Sequence, residues 1–188
     1  MQGAGLWWFA ALSLMLGGVG IYYYNRLVFN RARVAEAWSG IDVQLKRRSS
    51  LIPALVECVR QYMGYEQGAL AELVAGRSRV VEQADSSLGQ RAPLEAQLGS
   101  QLRQLFALVE DYPALKADGQ FLDLQRSISE VEEHIQMARR YYNGAVRELN
   151  VLVESVPSNL LARPLGFTQA EYFALDDSRD AQPPKMEF

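Results

Sequence analysis

"LDLQRSISEVEEHIQMARRYYNGAVRELNVLVESV", Leu122 to Val156, carries two apolar rows at heptad spacing. One row reads Leu124, Val131, Ala138, Ala145 and Leu152; the other reads Ile128, Ile135, Tyr142, Leu149 and Val156. Spacing of this kind puts both rows on one face of a helix that must bury them against other helices. Pro157 stops the pattern, because it has no N–H to continue the ladder. The stretch therefore predicts a long helix and, by its length, a helical bundle.

A second long pattern precedes it. Leu27, Val34, Ile41, Arg48, Leu55 and Tyr62 form one row; Arg31, Trp38, Leu45, Ile52 and Val59 form the other. This predicts an unbroken helix to about Met63, with Pro53 kinking it near Ser49 and Gly64 ending it. Antiparallel alignment of the two long helices sets Lys46, Arg47 and Arg48 level with Glu132, Glu133 and Gln136. It sets Asp42 level with Arg139 and Arg140. The basic triplet is thus read as half of a structural charge layer (Asp42, Lys46, Arg47, Arg48, Glu132, Glu133) and not as a docking site for lipid or nucleic acid. Its expected role is to fix register between the helices.

Two shorter helices complete the count. "EQGALAELVAGRSRVVEQA" offers Leu70, Leu73, Val74, Val80 and Val81 as an apolar side, weakened by Gly68 and Gly76. "DSSLGQRAP" is read as a loop, with Pro93 in the first turn of a helix bearing Leu94, Leu98, Leu102, Leu105, Val109 and Tyr112. No segment reads as a strand, so the class is all-α, and the short links predict an up-down bundle of four antiparallel helices.

From Met1 to Asn25 there is no charged side chain, and Leu6 to Tyr24 is almost wholly apolar. About 20 such residues cross a bilayer core, so an uncleaved N-terminal transmembrane helix is expected, continuing into the bundle. Trp7, Trp8, Tyr22, Tyr23 and Tyr24 are its expected membrane-interface residues. Arg26, Arg31 and Arg33 follow the stretch and no cation precedes it, which predicts a single-pass protein of the cell membrane with its N-terminus outside and its bundle cytoplasmic. Ser13, Gly17, Gly18 and Gly20 would allow two such helices to pack closely. The expected organisation is an anchor over 1–25, a four-helix bundle over 26–157, and short helices with a flexible tail over 158–188. In that last piece Thr168 is a candidate cap.

The chemistry expected of these residues is sparse. The 188 residues carry a net charge of −3 and a pI near 5.3, which argues against a nucleic-acid partner. One cysteine, Cys58, excludes an internal disulfide and reads as a small buried hydrophobe. One histidine, His134, excludes a di-iron bundle site and leaves no zinc cluster. No phosphate-binding glycine loop or nucleophile elbow occurs, so no catalytic, cofactor or metal residue is expected. The densest group of function-like side chains is Arg139, Arg140, Tyr141 and Asn143, a candidate interaction surface.

"AWSGIDVQLKRRSSLIPALVECV", "DYPALKADGQFLDLQRSISEVEEHIQMARRYYNGAVRELN", "SVPSNLLARPLGF" and the closing "EYF" and "KMEF" together resemble the LemA family. Gly40, Ser49 and Ser50 stand where larger polar or aromatic residues would be expected. The resemblance implies one N-terminal membrane helix and a cytoplasmic helical bundle in a bacterial protein, and it supplies no catalytic residue. Two functions fit. The first is a non-enzymatic membrane scaffold acting as a homo-oligomer, with the lipid bilayer as its other partner. The second is a membrane-tethered regulator or sensor working through one heterologous membrane protein of the envelope.

Overall fold

The computed structural model describes residues 3–63 and 67–173, with side chains from Trp7 onward. Among these described residues six helices follow in order: α1 Gly3–Arg60, α2 Gln67–Glu82, α3 Leu88–Val109, α4 Pro113–Lys116, α5 Gly119–Glu154 and α6 Asn159–Ala162. Among the described residues there is no strand. The tail expected to be flexible lies mostly outside them.

The expected transmembrane helix requires correction. Among the described residues no helix is long and apolar enough to cross a membrane. Two tryptophans, three tyrosines and three glycines dilute the aliphatic residues between Trp7 and Tyr24, and amphipathic rings and bare backbone gain little from a hydrocarbon core. The orientation argued from that span falls with it. What the structure shows is an arm of α1 whose apolar side chains are bare: Trp7, Leu14 and Met15 are each at least 69% exposed.

The chain forms two compact units, and α1 and α5 contribute to both. In the first, α1 up to Ser39 joins residues 140–172. Its core is Leu27, Leu149, Leu152, Val153, Ala162 and Phe167. Within this unit Arg33 meets Glu148 at 2.5 Å and the Trp38 ring meets Tyr142 edge-on at 5.7 Å, so the two helices run antiparallel within one turn of the expected alignment. After α6, Gly166 takes a φ of +74°, a left-handed conformation that glycine adopts without strain. The turn lets the Phe167 N–H reach the Ala162 carbonyl at 2.9 Å and buries the Phe167 ring.

No helix follows α6 among the described residues, so Thr168 caps none. Residues 167–172 form a strap held by side chains of α5. Asn150 donates to the Ala170 carbonyl at 3.0 Å and accepts from its N–H at 2.8 Å, while the Tyr142 hydroxyl donates to the Glu171 carbonyl at 2.9 Å. These bonds satisfy backbone groups that extended chain leaves open.

In the second unit, α1 from Gly40 packs with α2, α3, α4 and α5 up to Arg139. Its core includes Ile52, Leu55, Val59, Leu73, Leu98, Leu102, Leu105, Leu115 and Phe121. Full burial of such a side chain stabilises the fold by about 1.5–3 kcal/mol. Direction is fixed by named contacts: Arg77 of α2 reaches Ser49, Arg91 and Glu95 of α3 reach Asp42 and Arg48, and Asp118 before α5 reaches Tyr62. Numbers rise together for α1 and α3 and oppositely for α5, which is the up-down order that short links dictate.

Helix α1 passes through Pro53 as continuous helix. Proline supplies no N–H, which strands the carbonyl of Ser49 four residues back. The structure fills that acceptor from another helix, since Arg77 Nε donates to the Ser49 oxygen at 2.9 Å. Gly76, next to Arg77, is buried against Gln101 of α3: a Cβ there would fall 2.1 Å from the Gln101 Oε1. The glycine that weakens α2 as a helix thus leaves room for the Gln101 side chain of α3.

Helix α3 begins at Leu88, so residues 88–92, expected as loop, are helical and Pro93 lies inside the helix. Helix α5 has a clear start. Asp118 Oδ1 accepts the Phe121 N–H at 2.9 Å, capping the first turn, and Oδ2 accepts the Tyr62 hydroxyl at 2.9 Å. The capping N–H, then Tyr62, hold the Asp118 carboxyl below its usual 3.8.

Both devices are open to test. Arg77→Met costs about 1–3 kcal/mol by urea denaturation, because a partly buried carbonyl loses its donor. In a Pro53→Ala background, where the substituted alanine restores the helical N–H, the same change costs less; equal costs would disprove the compensation. Asp118→Asn keeps a cap but cannot titrate. Since the folded pKa is depressed, the carboxylate's contribution is complete above pH 4 or so and is lost as pH falls through the lower folded value. Melting temperature therefore falls less steeply below pH 4 in Asp118→Asn than in the parent, and parallel curves would contradict this.

Candidate functional site

Arg48 occupies a seam position that heptad logic reserves for an apolar side chain, and it is buried, with 3% of its surface exposed. A guanidinium there must be neutralised by carboxylates, and here the two Nη atoms are satisfied while Nε has no partner among the described residues. Its Nη2 donates to Glu95 Oε2 at 2.6 Å and to the Glu95 carbonyl at 2.9 Å, and its Nη1 donates to Glu132 Oε1 at 2.8 Å. Glu95 is also 3% exposed and reaches Arg91 Nε at 3.5 Å. Arg91, buried too, donates to Asp42 Oδ1 at 2.6 Å and to the Ala84 carbonyl at 2.9 Å. Asp42 in turn takes Lys46 at 2.7 Å.

Charges thus alternate in a chain, Lys46–Asp42–Arg91–Glu95–Arg48–Glu132, that links α1, α3 and α5 inside the second unit. Burial alone would push the Arg48 pKa down, but Glu132 and Glu95 outweigh it and hold the guanidinium charged. Burial also pushes Asp42 up, and Lys46 and Arg91 together more than reverse that. Gly99 of α3 leaves the guanidinium its space, since a Cβ there would lie 3.3 Å from Arg48 Nη1.

The expected charge layer is therefore distributed unevenly. Arg48, Glu132, Asp42 and Lys46 are in the chain, whereas Arg47 and Glu133 are exposed. Asp42 meets Arg91 of α3 and not Arg139 or Arg140 of α5. Sequence reading misses Arg91 and Glu95 because the start of their helix reads as loop. Their i, i+4 spacing pairs them with each other on one helix, but nothing local points to Arg48 or Asp42.

Of the candidate interaction residues, Arg139 is buried, with its guanidinium 4.9 Å from the centre of the Phe173 ring. It is an interior cation and not a surface one. Arg140 and Tyr141 are exposed and Asn143 is half-buried. Of the expected interface aromatics, Trp7, Trp8, Tyr22 and Tyr24 are exposed and Tyr23 is half-buried; Tyr22 packs edge-on against Tyr23, and Tyr24 against Phe167.

Cys58 is buried beside Asp118, and burial followed by that carboxylate pushes its thiol above the usual value. That environment suppresses the thiolate, the reactive form. His134 is exposed on α5. Among the described residues no group of three or more His, Cys, Asp or Glu is placed to hold a metal. Nothing in the ion chain pairs a nucleophile with a base, so the arrangement holds helices together and orders them.

Removing one member of this chain strands the others. Arg48→Met is expected to cost about 3–5 kcal/mol, measured by chemical denaturation. Arg48→Met combined with Glu95→Leu is expected to cost clearly less than the two single changes together. Additive costs would show that the pair is uncoupled.

Comparison with known proteins gives this architecture a kinship. The LemA family pattern matches residues 37–188. Magnetosome protein MamQ 2 of Paramagnetospirillum magneticum is 26% identical over 174 residues, covering 80% of this chain and 64% of that protein. Protein LemA of Metamycoplasma hominis is 25% identical over 161 residues, covering 82% of this chain and 73% of that protein. Magnetosome protein MamQ of Magnetospirillum gryphiswaldense is 24% identical over 174 residues, with the same coverage as MamQ 2. The chain thus spans less than two thirds of the magnetosome relatives' length. None of these names carries an enzymatic activity. By the match of its residues from Ala37 onward, the chain belongs to the LemA family.

Proposed function

We propose that the chain is a non-enzymatic, membrane-associated helical scaffold that works by assembling with copies of itself. The observation that carries this reading is the bare arm of α1. Over about five turns, from Trp7 to Tyr24, large apolar side chains including Leu12, Leu16 and Ile21 are exposed. Such a surface is far beyond the scattered apolar residues of an ordinary monomer, and marks a site for lipid or for another protein. Its tryptophans and tyrosines are amphipathic rings of the kind that settle at a lipid–water interface, which favours lipid contact.

Self-assembly draws on a second property of the same arm. Gly17, Gly18 and Gly20 have open space where a Cβ would stand, so a second helix can approach closely there. The names of the MamQ relatives refer to a cell structure, the magnetosome, and not to a reaction, which accords with a scaffolding role. The rival reading is a membrane-tethered regulator with one heterologous envelope partner, for which exposed Arg140 and Tyr141 of α5 are the available contacts.

Cell fractionation and crosslinking test both parts. Full-length protein is expected in the membrane fraction, resistant to high salt, and deletion of residues 1–24 releases it. In intact cells a crosslinker yields a ladder of multiples, which Gly17→Leu with Gly20→Leu shortens. One discrete heterologous band in place of the ladder would establish the rival.

A further inference from the structure

We propose that the first unit binds the headgroup of an anionic phospholipid in a groove walled by Arg26, Arg33 and Arg147. This inference rests on the membrane association proposed above and names the lipid class that the same end of the molecule selects. The groove, about 380 Å³, lies between α1 and α5. Arg26 and Arg33 are seven residues apart on α1 and so share one helix face, while Arg147 comes from α5. One carboxylate, Glu148, lines the groove, and Arg33 already engages it at 2.5 Å. Three guanidiniums against one carboxylate leave the groove with a surplus of two positive charges.

Guanidinium forks match the oxygens of a phosphate and donate two hydrogen bonds at once. The rest of the lining decides which phosphate. Phe29 and Val151 stand in the groove beside the arginines and are more than half exposed, while Leu152 is buried behind them. A free phosphate gains nothing from these side chains, whereas the glycerol and first methylenes of a lipid cover them. Placement on the helix points the same way. Arg26 follows the last residue of the bare arm, Tyr24, by two positions, which is ~3 Å along the axis; Arg33 is ~14 Å on. With the arm against lipid, Arg26 lies beside the headgroups, where anionic lipids concentrate around basic residues, and the groove opens from there along α1.

Neighbouring cations do different work. The Arg31 guanidinium sits 4.8 Å from the centre of the Phe167 ring, away from the groove lining, where it supports the core of the unit. Arg26 and Arg147 are exposed, so changing them removes positive charge from the groove while leaving the Arg33–Glu148 pair and the buried side chains in place.

Full-length protein reconstituted into nanodiscs of equal phosphatidylcholine and phosphatidylglycerol, then released into mild detergent, carries retained lipid that native mass spectrometry counts. The parent protein is expected to retain phosphatidylglycerol over phosphatidylcholine by about tenfold or more. Arg26→Gln with Arg147→Gln abolishes that preference, whereas the charge-matched Arg60→Gln with Arg79→Gln preserves it. Absence of a preference in the parent, its survival in the groove variant, or its loss in the control variant would each overturn the proposal. Complete displacement of phosphatidylglycerol by inorganic phosphate would overturn it too, in favour of a soluble ligand. Failure of the parent to enter nanodiscs at all would instead remove the membrane association beneath it, so the two ideas fail by different results.

Discussion

Arg48 stands in the middle of an apolar seam, and the geometry of the second unit follows from what that placement demands. An arginine cannot shed its charge as a lysine can, so burying it requires carboxylates brought to it in fixed positions. One comes from α3 and one from α5, as Glu95 and Glu132. Any slip of α5 by a residue or two against α1 would leave the guanidinium and Glu132 apart in a low-dielectric interior. Leucines in the same seam tolerate such slips far better, because apolar contact is non-directional. The ion chain thus discriminates among registers that apolar packing leaves nearly degenerate, even if its net contribution to stability is small.

The same unit uses arginine repeatedly for interior polar work. Arg77 fills the acceptor stranded by Pro53, Arg91 connects Asp42 to Glu95 and also takes the Ala84 carbonyl, and Arg139 lies against Phe173. Several donors in one planar fork let a single side chain satisfy partners on different elements. That economy suits a fold of long helices, where defects such as a mid-helix proline or a buried carboxylate arise far from any loop that could serve them.

These uses explain which features are legible in the sequence. The rows of α5 are readable because heptad periodicity depends only on residues within one helix: Val131, Ile135, Tyr142, Ala145 and Leu149 are all buried. The pairing of Arg48 with Glu132 is readable because two long antiparallel helices leave one adjustable register. Arg91 and Glu95 are not, since their meaning depends on a third helix whose placement no periodicity encodes. The start of α3 escapes for the same reason: its first turns are held by a buried arginine and not by an apolar stripe. Pro53 is legible as the loss of a donor, but its remedy, Arg77, is local to nothing in sequence. Arg139 looks like surface because charge usually is; in the fold it is buried and its guanidinium lies over Phe173, 34 positions later.

Between Trp7 and Tyr24 the opposite problem arises, for composition there speaks more strongly than length. Absence of charge suggests a crossing helix, yet the described helix is too short of aliphatic residues to make one. The physical difficulty of leaving the arm in water is unchanged by that correction. At roughly 25 cal/mol per Å², each exposed leucine or isoleucine of the arm adds to a drive for contact that no other part of the described chain supplies, since the arm's side chains from Trp7 to Ile21 are almost all exposed. Relief must come from a second molecule or from lipid. The residues that follow sharpen the choice, because Arg26, Phe29, Arg33 and Val151 mix guanidiniums with bare apolar groups in one groove. A protein partner rich enough in both acid and hydrocarbon to match that mixture is a special case, whereas every anionic phospholipid presents phosphate and hydrocarbon within a few ångströms of each other. On the proposals made above, one environment, an anionic lipid surface, would serve both the groove and the arm without requiring that the helix traverse it.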